Sequence, residues 1–171
     1  MEEQILLAID GSTKSTGYAI FKEGKLIFHG VITASSSNLF KRLQKMQQEL
    51  EKLVNEYHPT RVVLEEVLPD DVRHNQTVYK ALVYLQGYIR GMLDKYRMDA
   101  ELIVASSWRK KCGIKTGAGI RRESLKNKDI AFVKAKYNID VCDDEADAIC
   151  IGHAMLFGVE KVETYDDFEI I

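Results

Sequence analysis

The chain has 171 residues, of which 46% are hydrophobic and 29% charged, so it can bury a core and is not a disordered chain. No apolar run approaches the ~20 residues of a membrane span, and the acidic start MEEQILLAID is unlike a signal peptide. The three cysteines form no CxxC pair, which argues against a zinc ribbon and for reduced thiols in a cytoplasmic location. We expect a single domain over residues 1–171 and no association with a membrane.

Short apolar runs bounded by turn residues predict five strands, the first three of them an antiparallel meander with turns at Gly11–Gly17 and Glu23–Gly24. The strands are Ile5–Ile9, Tyr18–Lys22, Lys25–Ile32, Arg61–Val67 and Glu101–Ala105. Helical spacing of apolar residues predicts four helices. The first helix begins at Leu39 after an Asn38 cap and ends before Pro59. The second extends from about Asn75 to Tyr96, and the third and fourth cover Arg122–Tyr137 and Asp143–Phe157.

This order predicts an α/β fold with a mixed five-stranded sheet, three antiparallel strands followed by parallel strands, flanked by helices. Gly87 and Gly91 lie four residues apart on the second helix and suggest the close approach of another helix. We predict the segment from Trp108 to Arg121 to be a glycine-containing loop that leads into the third helix.

The net charge of −2 hides an uneven distribution of charge along the chain. From Trp108 to Lys128, eight basic residues accompany one acid, whereas Ile139–Phe157 contains five acids and no lysine or arginine. A basic segment beside an acidic cluster is expected where a protein holds both a polyanion and a metal, although most charge runs are simply solvated surface.

Four carboxylates are predicted to meet at one edge of the sheet. Asp10 ends the first strand and Glu65 lies near the end of the fourth, while Asp144 and Asp147 share one face of the last helix. Oxygen ligands suit Mg²⁺ or Mn²⁺ and disfavour zinc. Two such ions, ~3.5–4 Å apart, activate a water and stabilise the leaving oxygen of a phosphodiester.

Each acid taken singly also has an ordinary structural explanation. Acids in the first turn of a helix complement its dipole, which accounts for Asp143, Asp144 and Glu145 without a metal. Glu66 competes with Glu65, but alternation along a strand sends the two side chains to opposite faces, so only one of them can be a ligand. The three-residue spacing to Asp147 selects Asp144 on the helix.

Three stretches that contain these acids resemble the acidic motifs of the RuvC family of Holliday-junction resolvases, within the RNase H-like superfamily. They are ILLAIDGSTKSTGYAIF, VVLEEV and DDEADAICIGHA. The stretch SSWRKKCGIKTGAG followed by RRESLKNKD resembles the family's basic segment. The resemblance spans Ile5 to about Phe157 and is greatest to the phage-borne branch, because cellular members usually have D-P-G where this chain has Asp10-Gly11-Ser12.

The resemblance implies an RNase H-like endonuclease that resolves four-way junctions and related branched DNA as a homodimer. Its expected ligands to two Mg²⁺ ions, which Mn²⁺ can replace, are Asp10, Glu65, Asp144 and Asp147. Paired cleavage would leave 5′-phosphate ends, without an organic cofactor and in the host cytoplasm if the chain is phage-encoded. The expected DNA-binding residues, of which Lys111 and Arg122 are placed nearest the cut, are Arg73, Arg109, Lys110, Lys111, Lys115, Arg121, Arg122 and Lys126.

Other functions were weighed against this one. An RNase H-like nuclease acting on RNA or RNA–DNA hybrids and a non-catalytic module that binds branched DNA both fit the fold, whereas a sugar-kinase or actin-like ATPase needs two duplicated domains. Trp108 is either a base-stacking residue or a buried anchor, and His153 is a packing or surface histidine. Tyr79 and Tyr84 are candidates for a junction wedge or a dimer contact. The acidic residues from Glu160 onwards have no assigned role.

Overall fold

The structure, a computed structural model, describes residues 3–69 and 75–158. Its strands are β1 (Ile5–Asp10), β2 (Ser15–Lys22), β3 (Lys25–Thr33), β4 (Arg61–Glu65) and β5 (Ala100–Ile103). Its helices are α1 (Leu39–Tyr57), α2 (Gln76–Asp94), α3 (Ala105–Lys111), α4 (Arg122–Tyr137) and α5 (Asp143–Phe157). None of the helices within these described ranges is long and apolar enough to cross a bilayer.

The sheet has the strand order β3-β2-β1-β4-β5. β1, β2 and β3 pair antiparallel, and β4 pairs parallel with β1 and with β5. The predicted mixed sheet is therefore confirmed. β1 is its central strand, which explains why ILLAI is buried along its whole length.

Helices cover both faces of the sheet, and alternation along β1 distributes its side chains between the two layers. Leu7 and Ile9 pack in one core with α1 and α2. Leu6 and Ala8 pack in the other core with α3, α4 and α5. Asp10, two residues after Ala8, is therefore on the α5 side of the sheet.

Local signals fix the ends of α1 as the sequence predicts. The Asn38 side chain accepts a 3.1 Å hydrogen bond from the Lys41 N–H at the N-cap. At the other end His58 adopts a left-handed conformation, and its N–H donates to the Val54 carbonyl just before Pro59. The predicted bounds of α4 and α5 also agree with the structure.

The packing of α5 against β2 requires two glycines. A Cβ at Gly17 would lie 1.9 Å from the Asp144 carbonyl oxygen, and one at Gly152 would lie 2.2 Å from the Phe21 ring. No side chain fits at either point, so α5 lies directly on the strand. This close approach places the first turn of α5 beside the end of β1.

Two predictions about the second half of the chain are wrong, and a third is not met within one chain. Residues 105–111 form helix α3 instead of the end of a strand followed by a loop. β5 is an edge strand whose Glu101 and Leu102 side chains are exposed, so it is not a buried strand. Gly87 and Gly91 have no atom within 4 Å of an added Cβ, so no helix in the described part of this chain approaches them, and the predicted close approach stays a prediction.

The first turn and the fourth strand are both shorter than predicted. β2 begins at Ser15, so Gly17 lies inside the strand instead of in a turn. A glycine is required at this position because α5 packs directly on it. β4 ends at Glu65 instead of Val67.

Candidate active site

Asp10 and Glu65 lie side by side on two parallel strands. The last paired positions of β1 and β4 are Ile9 and Leu64, and Asp10 and Glu65 are the next residue on each strand. Since Ile9 and Leu64 face the α1–α2 core, alternation directs both acids toward α5. Glu65 is still within β4, directly beside Asp10, whereas Glu66 lies beyond the end of the strand, which favours Glu65 as the site residue.

Helix α5 brings two further acids to this edge of the sheet. The Ser15 hydroxyl, at the start of β2, donates a hydrogen bond to the Asp144 carboxylate. Asp147 follows one turn later and is only 9% exposed. The Cys142 N–H at the start of the helix is capped by Glu145 at 3.1 Å.

Electrostatic effects show that the acids are close enough to influence one another. Burial raises the pKa of Asp10 well above its ordinary value, and the neighbouring Glu65 and Asp144 raise it further. Burial, together with Asp10 and Asp129, raises the pKa of Asp147 to about 9. Four predicted ligands from β1, β4 and α5 therefore share one crowded cluster of carboxyl groups.

The carboxylates do not yet form a closed metal cage. Among the described residues, no three His, Cys, Asp or Glu side chains have an arrangement that holds a metal ion. Instead, other partners engage individual acids: Ser15 bonds to Asp144, and Trp108 bonds to Glu65.

The donor set nevertheless fits a hard divalent cation. All four candidate ligands offer carboxylate oxygens, the donors that Mg²⁺ and Mn²⁺ prefer. Asp147 Oδ1 is buried without a hydrogen-bond partner among the described residues. A cation between the acids would use that oxygen and relieve the repulsion that, in addition to burial, raises the pKa of Asp10.

The two acids that flank Asp144 have other partners. Asp143 pairs with Lys126 of α4. Glu145 accepts a 2.8 Å hydrogen bond from His29 Nδ1 in addition to its helix-capping bond. These contacts support the choice of Asp144 over its neighbours, which rested on helical spacing alone.

Helix α3, which sequence analysis missed, contacts two of the acids, Glu65 and Asp147. Trp108 is fully buried, so of its two predicted roles the structure has the anchor, and its indole N–H donates to Glu65 Oε2 at 2.6 Å. The Arg109 guanidinium is 12% exposed and binds Asp129 through two nitrogens, at 3.0 and 2.8 Å. It also lies 3.7 Å from Asp147 Oδ2.

The placement of Arg109 differs from that of the other predicted DNA-binding residues. Its charge is directed into the protein, toward Asp129 and Asp147, and not toward solvent. A buried, bidentate ion pair of this kind positions groups inside the fold. We therefore correct the expectation that Arg109 belongs to the phosphate-binding surface.

The remaining described basic residues differ in exposure, and Lys111, which was predicted near the cut, instead lies against Gly158 at the far end of α5 from Asp144. Lys110, Lys115, Arg121 and Arg122 are exposed, and Lys111 is half-buried. Lys126 is held beside the acids by its pair with Asp143. Arg73 falls outside the described residues, as do the acidic residues from Glu160 onwards. The side chains that line an open groove beside α3 are Ser106, Ser107, Lys110, Ile114, Lys115 and Thr116.

Sequence reasoning missed two residues that contact the predicted ligands or their partners. Ser15 lies in a turn-rich stretch where serine is ordinary, and nothing local distinguishes it from Ser12. Asp129 is fully buried in α4, yet it appears in the sequence as one more charge on a polar helix. The packing of α5 on β2 reveals the role of Ser15, and the ion pair with Arg109 of α3 reveals that of Asp129.

Comparison with known proteins agrees with this geometry. The family model described as "Crossover junction endodeoxyribonuclease RuvC" matches residues 6–106, a range that contains Asp10 and Glu65 and ends before α4. A crossover junction endodeoxyribonuclease RuvC of Rickettsia conorii is 27% identical over 157 residues, covering 89% of this chain and 96% of the relative.

Solved structures show the same fold at lower sequence identity. Thermus thermophilus RuvC in complex with a Holliday junction substrate has a TM-score of 0.70 and 13% identity, over 90% of this chain and 93% of that chain. The fowlpox virus resolvase in complex with Holliday junction DNA has a TM-score of 0.53 and 15% identity, over 90% of this chain and 99% of that chain.

Proposed function

Because the chain belongs to the RuvC family of crossover junction endodeoxyribonucleases, we propose that it cleaves Holliday junctions and related branched DNA. The main support is the meeting of Asp10, Glu65, Asp144 and Asp147 at one sheet edge beside a basic surface. The reaction is hydrolysis of a phosphodiester that leaves a 5′-phosphate and a 3′-hydroxyl. One RNase H-like domain would perform it in the cytoplasm, where the three cysteines remain free thiols.

Nucleases of the RuvC family depend on divalent metal ions, and in this chain the four carboxylates would hold two Mg²⁺ or Mn²⁺ ions. When bound, such ions lower the pKa of the attacking water and stabilise the leaving oxygen. The protein's own part is to fix the ligands. Ser15 orients Asp144 through its hydroxyl, and the Gly17 contact keeps the first turn of α5 at the end of β1.

Exposed cations beside the acids would hold the DNA backbone. Lys110 and Lys115 line the α3 groove, and Arg121 and Arg122 are also exposed; such cations can neutralise phosphates without reading base sequence. Lys126 lies nearer to the acids, where a cation would orient the phosphate to be cut. This distribution of charge suits a substrate that is a folded polyanion.

Paired cuts across a four-way junction require two active sites, and we propose that a homodimer supplies them. The α1–α2 side carries an exposed aromatic pair, Phe40 and Tyr84, which are 51% and 47% exposed with ring centroids 6.1 Å apart. Val83 is also exposed there, and Gly87 leaves room for close backbone contact.

Analytical sedimentation of two variants tests the proposed dimer. We expect Tyr84→Glu to be monomeric and Ile27→Glu, on the exposed side of β3, to remain dimeric.

The direct test compares immobile four-way junctions, linear duplex and RNA–DNA hybrid as substrates in Mg²⁺, with products mapped on every strand. We expect paired nicks in the junction and little cutting of the other two substrates. Preference for the hybrid would favour the ribonuclease alternative and contradict the proposal.

The matched variants are Asp10→Asn, in the site, and Asp99→Asn, an exposed acid paired with Arg90. We expect Asp10→Asn to lose roughly 100-fold or more of the cutting rate while it still binds junctions, because it removes one preorganised charged group. Asp99→Asn should cut normally. Unchanged cutting by Asp10→Asn would exclude that residue as a metal ligand.

A further inference from the structure

Trp108, the single tryptophan of the chain, makes an unusual contact for a core residue. The ring is fully buried among apolar side chains of α4, α5 and the sheet. Its indole N–H, however, points at the site and donates to Glu65 Oε2 at 2.6 Å. A buried indole needs a hydrogen-bond partner, and here that partner is a predicted metal ligand.

The other side of the ring is fixed as well. The Arg109 guanidinium carbon lies 4.1 Å from the Trp108 ring centroid, and Arg109 is itself held by Asp129. The indole therefore cannot swing away without disturbing a buried ion pair. Trp108 is a rigid donor, in contrast to a lysine or a serine that changes rotamer freely.

The position of Glu65 explains what such a donor contributes. It is the last residue of β4, and its long side chain has more rotamers than the aspartates have. The adjacent Asp10 repels its carboxylate and would otherwise favour rotamers that turn away from the site. A hydrogen bond from a fixed indole holds the carboxylate beside Asp10 against this repulsion.

We infer that Trp108 is a positioning residue that orients Glu65 for metal binding through its indole N–H. The inference rests on the proposed function, since it assumes that Glu65 is a ligand. Partners of this kind, which hydrogen-bond to metal ligands, typically contribute 10- to 100-fold to metal affinity. The expected consequence is weaker metal binding when the N–H is removed and the aromatic ring is kept.

The test measures the dissociation constant for Mn²⁺ by electron paramagnetic resonance on the full chain without DNA. We expect Trp108→Phe to raise that constant about 10-fold. The control is Val133→Ala, which truncates a fully buried residue of the same core. It should lower stability and leave Mn²⁺ affinity unchanged. Wild-type affinity in Trp108→Phe would overturn the inference, as would an equal loss in Val133→Ala.

A second measurement covers the case in which Trp108→Phe does not fold. The wild-type protein gives one indole N–H signal in a ¹H–¹⁵N spectrum, because it has one tryptophan. In Glu65→Gln we expect this signal to move upfield, since the acceptor loses its charge. An unmoved signal would show that the contact does not exist and would overturn the inference.

These outcomes are distinguishable from failure of the proposed function. If wild-type protein binds Mn²⁺ but leaves junctions intact, the nuclease proposal fails while the positioning of Glu65 still stands on the affinity data. If wild-type protein cuts junctions and Trp108→Phe has the same half-saturating Mg²⁺ concentration for cutting, the inference about Trp108 fails alone.

Discussion

Asp10 and Glu65 occupy neighbouring positions at the ends of two parallel strands, one residue beyond the paired Ile9 and Leu64. This register brings together two acids that are 55 positions apart in the sequence. The parallel pairing of β1 with β4 therefore creates the first half of the site, and the packing of α5 on Gly17 adds the second half.

The effect of bound metal on stability should depend on pH. Burial, Asp10 and Asp129 raise the pKa of Asp147 from 3.8 to about 9, so the folded state binds more protons than the unfolded state between those values. Without metal, stability therefore falls as pH rises through this window. At the proposed site a divalent cation would replace the proton, so we expect Mg²⁺ to raise Tm more at about pH 8.5 than at about pH 6.

Thermal unfolding with and without Mg²⁺ at the two pH values measures this effect. Asp147→Asn is the matched variant, because it removes the titrating group at the same position. In that variant the increase in Tm should depend much less on pH. An equal increase at both pH values in the wild-type protein would contradict the assigned role of Asp147.

Removal of the Arg109 charge should destabilise the fold strongly. In Arg109→Gln the buried Asp129 carboxylate loses its bidentate partner, which costs roughly 3–5 kcal/mol of unfolding free energy for a buried pair. Arg90→Gln is the control, because the Arg90–Asp99 pair is exposed and should contribute little. Urea denaturation measures both, and equal losses would show that the Arg109 pair is not a special feature of the site.

Much of the fold was predictable because local signals and tertiary packing agree. The Asn38 cap, the break at Pro59 and the apolar spacing between them define α1 correctly. The acids Asp10 and Glu65 also follow from a simple rule, that neighbouring parallel strands end at the same edge.

The parts that could not be predicted depend on contacts between distant segments. α3 begins at Ala105 after a strand-like apolar run, has no side-chain cap and is only seven residues long, so no periodic pattern marks it. Because α3 was not predicted, Trp108 and Arg109 were placed in a loop, and the burial of both side chains did not follow from the sequence. Gly17 was interpreted as a turn residue because nothing in the sequence shows that α5 packs on it.

The glycine at position 17 gives a third prediction. In Gly17→Ala the new Cβ meets the Asp144 carbonyl oxygen, so α5 must shift and carry its acids away from β1. We expect a loss of about 1–3 kcal/mol of stability, as in other overpacked sites, together with a loss of junction cutting. Gly91→Ala is the control, because its Cβ has no neighbour within 4 Å, and it should gain roughly 0.5–1 kcal/mol.

Chemical denaturation and cleavage assays on both glycine variants test this account. A Gly17→Ala protein with normal stability and normal cutting would show that α5 does not need to lie directly on the strand.

The basic surface gives a prediction about salt. Lys115→Ala and Arg121→Ala each remove one exposed cation, so each should flatten the plot of log binding constant against log salt by about one unit of slope. Lys52→Ala is the control, since Lys52 lies on α1 on the other side of the sheet and pairs with Glu49. Fluorescence anisotropy with a labelled junction measures the slopes, and unchanged slopes in both site variants would remove them from the DNA-binding surface.

Anomalous diffraction at the manganese edge, from crystals grown with Mn²⁺, tests the central assignment most directly. We predict manganese within about 2.0–2.2 Å of carboxylate oxygens from Asp10 and from at least one acid of α5, with Glu65 completing the ligand set. Manganese bound elsewhere, with Asp10 and Asp147 facing no common ion, would contradict the assignment.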